Sequence, residues 1–216
     1  MKVADRPVSN DRGRYGQRVA RQSAELRREE ILRATIDQIT ESGFANTRVA
    51  DVAKSLGVST ALVFYHFDTK DRLLSEAFAY AAQRDLDQLE EIARSPDTAW
   101  ERLRRILALY SPGPSTAPSW PLWIEAWAAA LRSTELQAVS RRLDVHWKNT
   151  VADVISEGVA GGEFRCADPS GAAWRITALV DGLAVQSTVH KGVVSRTTMS
   201  RWIRQVAAGE LGVRAD

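Results

Sequence analysis

Between Thr47 and Lys70 the sequence TRVADVAKSLGVSTALVFYHFDTK sets hydrogen-bonding, cationic and small apolar side chains at spacings that suit contact with a polyanion. Thr60 can hydrogen-bond to a base edge or a phosphate. Ala61 and Leu62 can touch a thymine methyl, and Tyr65 and His66 can straddle base and phosphate. Ser59 and Phe64 complete the same short segment. Thr47, Arg48 and Lys70 are candidate backbone clamps, contacts that fix register without reading sequence. No acidic residue lies between Ser59 and Phe67. The chemistry these residues offer is non-covalent recognition of double-stranded DNA. Taken one at a time they also admit blander readings, with Lys70 as a solvated surface lysine and the whole stretch as an ordinary helical turn.

The elements that position them follow from local pattern. Val49, Val52, Ala53 and Leu56 recur at three and four residues, which makes one apolar helix face. Gly57 follows, where a left-handed backbone is cheap. Val58 can plug the angle between two helices, and Ser59 is a good N-cap for the second. Lys70 opens a third, where backbone N–H groups can help hold a phosphate. A helix, a glycine-centred turn and a second helix make a helix-turn-helix, whose second helix fits a DNA major groove.

A second group of residues offers a different chemistry. Trp100, Trp120, Trp123, Trp127, Trp147 and Trp174 are interleaved with Tyr110 and a proline-rich stretch. Together they can line a pocket for a flat, cationic, apolar or amphipathic effector. Trp123 and Trp127 share a face at i, i+4 on a very apolar helix. They are the leading ligand candidates, followed by Trp147 and Trp174, with Glu125 and Asp181 as polar anchors. For any single tryptophan, ordinary core packing is the competing reading.

Composition narrows the class. The chain has 216 residues, with 29 basic and 27 acidic side chains. Six Lys or Arg stand against two Asp from Met1 to Arg21, so residues 1–21 read as a flexible basic arm. A solubilising tail is the alternative. Cys166 is the only cysteine, which excludes an internal disulfide and a cysteine-rich metal site. A reducing cytoplasm fits. His66, His146 and His190 are scattered, and no phosphate loop, paired acids or nucleophile arrangement stands out. An enzyme, a metal and a cofactor are therefore not expected. No run is apolar enough for a membrane span or signal peptide. An all-helical interaction protein without DNA binding remains the other class.

The rest of the chain reads as helices. They are expected over Ser23–Ser42, through the two short helices, then Lys70 to about Ile92, Thr98–Tyr110 and Trp120–Leu131. Further helices cover Leu136–Gly161, Pro169–His190 and Thr197–Ala208. Leu26, Ile31, Ala34 and Ile39 form the inward stripe of the first, Gly43 stops it, and Phe44 inserts between it and the next. Trp120–Leu131 is apolar nearly all round and should be buried. The fold class is all-α. Residues 22–78 form the DNA-binding domain and residues 79–210 the ligand-binding and dimerisation domain, joined by a long helix.

From about Glu29 to Phe78 the chain resembles the N-terminal domain of the tetracycline-repressor (TetR) family. Gly57-Val58-Ser59, His66-Phe67 and Asp68-Thr69-Lys70 stand where that family's motif has them. Leu131–Glu135, Glu157–Phe164 and Asp168–Leu183 are similar to the branch that includes the choline-responsive betaine repressors. The resemblance implies a homodimer, with a four-helix bundle built from Leu136–Gly161 and Pro169–His190 of each subunit. It implies two reading heads on a palindromic operator, and a small molecule that releases DNA by changing their spacing. Phe64 stands where the family usually has Tyr, so that phosphate contact is missing, and Tyr65 points about 100° away around the helix. Ala50 likewise replaces a polar residue.

Overall fold

The computed structural model describes residues 11–111 and 119–213. Among them the chain forms nine α-helices and no strand. They are α1 (Asp11–Asn46), α2 (Val49–Ser55), α3 (Thr60–Phe67), α4 (Lys70–Ala93), α5 (Ala99–Tyr110), α6 (Ser119–Ala130), α7 (Thr134–Ala160), α8 (Pro169–Val189) and α9 (Arg196–Leu211). Helix α1 starts at Asp11, not Ser23, so the second half of the expected arm is helical. Residues 1–10 of that arm, and residues 112–118 of the proline-rich stretch, lie outside the described residues.

Helix starts are set by side-chain oxygens that accept from backbone N–H groups. Ser59, Thr69, Thr98, Ser133, Asp168 and Ser195 each cap the helix that follows. Such a cap is worth about 1 kcal/mol. Helix α1 is broken at Gly43, whose φ of 79° and ψ of 161° lie in a region open essentially to glycine alone. Thr47 secures that break. Its backbone N–H and its hydroxyl both donate to the Gly43 carbonyl, at 3.1 and 2.8 Å.

One apolar core runs through both halves of the molecule. Ile31, Phe67, Leu73 and Phe78 are fully buried in the first half, and Leu89, Leu103, Ile155 and Ile176 in the second. Helix α4 belongs to both, packing on α1 and α3 and also on α5 and α7. Helix α7 in turn packs on α5, α6 and α8. Two expected placements differ. Leu26 is 57% exposed and lies off the inward stripe of α1. Helix α6 is buried on one side only, through Trp120, Leu122 and Ala126, while Pro121, Glu125 and Ala128 face outward. Apolar composition does not define a buried face there, because much of the surface of a folded protein is itself apolar.

Candidate DNA-reading head and effector cluster

Helix α3 is fixed to the head by Val63 and Phe67, both buried, at i and i+4. The opposite side carries Thr60, Ala61, Phe64 and Tyr65, all exposed. Gly57 makes the turn with a φ of 65°. Ser59 accepts from the Leu62 N–H at 3.2 Å, which leaves its hydroxyl proton free to donate. Tyr65 is 79% exposed, as a group that reads a groove must be. His66 is half-buried with its ring edge-on to Tyr65 at 5.3 Å. Burial, with Arg28 and Arg27 nearby, holds the His66 imidazole below its ordinary range, so at neutral pH it is uncharged.

The head is braced by charge. The Arg28 guanidinium lies 4.7 Å from the Phe67 ring centre and pairs with Glu76, while Arg72 bridges Glu76 at 3.0 Å and Asp68 at 2.6 Å. Arg48 and Lys70 make no ion pair among the described residues, and Lys70 stands in the first turn of α4. Thr47 departs from expectation. It is 2% exposed with its hydroxyl committed to Gly43, so its side chain locks the α1–α2 junction and is not a surface clamp. Leu62 is half-buried at the edge of the reading face.

The rings of the second site come from five helices. Ring centres run from Phe44 to Phe78 (6.4 Å), Trp123 (4.8 Å), Trp127 (5.9 Å), Trp120 (6.0 Å), Tyr110 (5.5 Å) and Trp147 (4.6 Å) in one unbroken series. Phe44, buried at the end of α1, thus meets the Phe78 ring of α4. Tyr110 stacks on Trp147, accepts from Trp120 Nε1 at its carbonyl oxygen (3.0 Å), and donates its hydroxyl to Asp181. Lys148 pairs with Asp144, and its Nζ lies 3.9 Å from Asp181 Oδ2. Burial raises the Asp181 carboxyl above the usual range, although Tyr110 and Lys148 oppose the shift. Burial and the nearby Asp181 and Asp144 carboxylates push the Tyr110 phenol well up, so it stays protonated. Trp147 Nε1 is buried with no hydrogen-bond partner. An unpaired buried donor of this kind costs about 1–3 kcal/mol.

Of the tryptophans expected to meet a ligand, Trp123, Trp127 and Trp147 join this series and Trp174 does not. Trp174 is 52% exposed on α8, because Ala172, Ala173 and Ile176 take the inward positions. Trp100 lies elsewhere, edge-on to Phe164. Glu125 is exposed and lies over Gly43, remote from the polar end at Asp181. Lys148 joins the site although the sequence reading does not include it. It is 5% exposed, with Asp144 and Asp181 on one side and the Trp174 ring at 4.7 Å on the other. Its signal is the Asp144–Lys148 i, i+4 pair inside an otherwise apolar helix face.

Among the described residues there is no group of three His, Cys, Asp or Glu able to hold a metal, and no helix long and apolar enough to cross a membrane. Residues 31–77 match the family described as bacterial regulatory proteins of the tetR family. Residues 99–212 match the C-terminal part of BetI-type transcriptional repressors. The HTH-type transcriptional regulator BetI of Paraburkholderia xenovorans is 31% identical over 74% of this chain and 80% of its own length. That of Stenotrophomonas maltophilia is 28% identical over 77% of this chain and 84% of its own length. A transcriptional regulator from Saccharomonospora viridis, solved in complex with choline, superposes with a TM-score of 0.77 at 28% identity, over 87% of this chain and 98% of that one. The helix-turn-helix head, the all-α effector half and these matches make the chain a member of the TetR family of DNA-binding transcriptional regulators, in its BetI-like branch.

Proposed function

We propose that the chain is a repressor that binds a palindromic operator as a homodimer and leaves it when a small amphipathic cation enters the tryptophan cluster. The observation that carries the ligand-controlled part is the ring series. It runs without a gap from the acidic end at Asp181 to Phe44, at the break in α1 that supports the head. Such a site has aromatic faces for a quaternary ammonium, a carboxylate for its charge and a free Trp147 N–H for an acceptor. The choline complex of the Saccharomonospora viridis regulator supports this ligand class. Lys148 supplies the charge that Asp181 needs, but at 3.9 Å the contact is loose and a ligand cation can improve on it.

The dimer part rests on α7 and α8. Val145, Trp174 and Val189 expose 37%, 52% and 56% of their surface on these helices, with Ala178 and Gly182 between the last two. Large apolar side chains repeated along one helix face need a partner, and a second α7–α8 pair completes a four-helix bundle. On DNA, Thr60, Ala61, Leu62, Phe64, Tyr65 and His66 read the groove, while Ser59, Arg48 and Lys70 hold the backbone. The test is selection of genomic fragments by the purified protein, followed by anisotropy on the selected duplex with added choline. Release by choline, but not by its neutral isostere 3,3-dimethyl-1-butanol, is the expected result. Absence of any selected fragment overturns the DNA reading. Equal release by both compounds overturns the cationic effector.

A further inference from the structure

A separate groove of about 240 Å³ opens between the head and the effector half, where the start of α4 faces the α6–α7 junction. Phe44, Leu74 and Leu136 give it an apolar floor. Lys70 at the start of α4 and Arg132 at the α6–α7 junction line it as well, one on each half of the molecule, with Asp71 as the single carboxylate among the lining residues. Neither cation has an ion-pair partner among the described residues, whereas Arg72, close by on α4, pairs with both Asp68 and Glu76. The volume lies below the usual range for drug-sized ligands, about 300–1,000 Å³. We propose that this groove binds a short-chain anionic amphiphile, its carboxylate between Lys70 and Arg132 and its alkyl chain on Phe44, Leu74 and Leu136.

Charge complementarity selects the occupant. A neutral alcohol would leave both cations unpaired, and a cationic amphiphile would be repelled by them. An anion gains charge-assisted hydrogen bonds from two donors at once. A bound anion also ties α4 to the α6–α7 junction, so it restrains the angle between the halves. Lys70 is the side chain assigned above to a DNA phosphate, so DNA and the anion compete for it. That consequence rests on the DNA reading, whereas binding of the anion to the free protein does not.

Calorimetric titration of the full chain, without DNA, tests the site. Octanoate is the probe, with 1-octanol and octyltrimethylammonium as its neutral and cationic counterparts. Arg132→Gln removes one cation at an exposed position and should weaken octanoate about tenfold or more, since only one charged donor then faces the carboxylate. Asp71→Asn removes the opposing charge and should strengthen octanoate several-fold, a gain that a damaged fold cannot mimic. Octanol binding as tightly as octanoate, or an Arg132→Gln affinity equal to that of the wild type, overturns the proposal. So does an Asp71→Asn variant with unchanged or weaker binding. Octanoate held in the tryptophan cluster instead would show as insensitivity to both substitutions, and that result equally overturns it.

Discussion

The reading head and the effector cluster are built on opposite plans. In the head, every candidate contact lies within the 24 residues from Thr47 to Lys70, on or beside the short helices α2 and α3 and at the first residue of α4. Apart from Thr47, those groups are exposed or half-buried at the surface. In the effector half, seven rings and two carboxylates come from six helices between Phe44 and Asp181, and the groups that matter are wholly or partly buried. Exposed groups can be altered with little loss of stability. Buried ones carry the fold as well as any ligand contact proposed for them. The ring of Phe78 links the two regions, touching Phe44 on the head side and Trp123 on the effector side.

Phe78→Ala attacks that meeting point and should have the largest effect. The ring is fully buried, and truncation of such a residue costs about 3–5 kcal/mol. Denaturant titration should show this loss, and the protein that still folds should bind operator without response to effector. A response that persists would show that the ring series is packing alone. Tyr65→Ala tests the other plan. It should leave the melting temperature unchanged and narrow the difference between operator and unrelated DNA by about 1–3 kcal/mol for each base that Tyr65 reads. Equal weakening on both duplexes would make Tyr65 a backbone contact, in place of the hydroxyl absent at Phe64.

Asp181→Asn keeps an acceptor for Tyr110 and removes the charge. Binding of a cationic effector should fall about tenfold, roughly 1.4 kcal/mol, with DNA affinity unchanged. The pH dependence has the matching sign. The Asp181 carboxyl is raised, and a cation favours its ionised form, so affinity is full at neutral pH. It declines as pH falls through the raised value, earlier than for an ordinary carboxylate. Asp144, Lys148 and Tyr110 face the same group, and the Asp181→Asn variant isolates its share. The smallest change is expected for Lys70→Ala. It should weaken operator and scrambled duplexes alike and lower the salt slope by about one for each subunit on the DNA. An unchanged salt slope would remove Lys70 from the DNA interface.

The same contrast governs what is legible in the sequence. The Gly57 turn, the Ser59 cap and the exposed Tyr65 follow from neighbours within four residues, so spacing alone is enough. Thr47 escapes such reading because spacing alone does not say whether its hydroxyl turns inward to the Gly43 carbonyl or outward to a phosphate. Trp174 and Trp147 are the same residue on adjacent helices, yet one is half exposed and the other buried. Only the rotation of α8 against α7 separates them. Tyr110, Asp181 and Lys148 form one polar end from three helices, an arrangement no local periodicity reports.

Helix α4 runs 24 residues from Lys70 to Ala93 without interruption. At a rise of about 1.5 Å per residue it is a bar roughly 36 Å long. It packs on α5 and α7 as well as on α1 and α3, its first residue is Lys70, and the Phe78 ring rests on Trp123 in between. Were this bar to tilt about Ala93, a turn of only about 5° would carry Phe78 about 2 Å and Lys70 about 3 Å, on the order of the length of one hydrogen bond. On the proposed reading, in which Lys70 holds a phosphate, a small displacement of one ring would suffice to break that contact with no helix unfolding along the way.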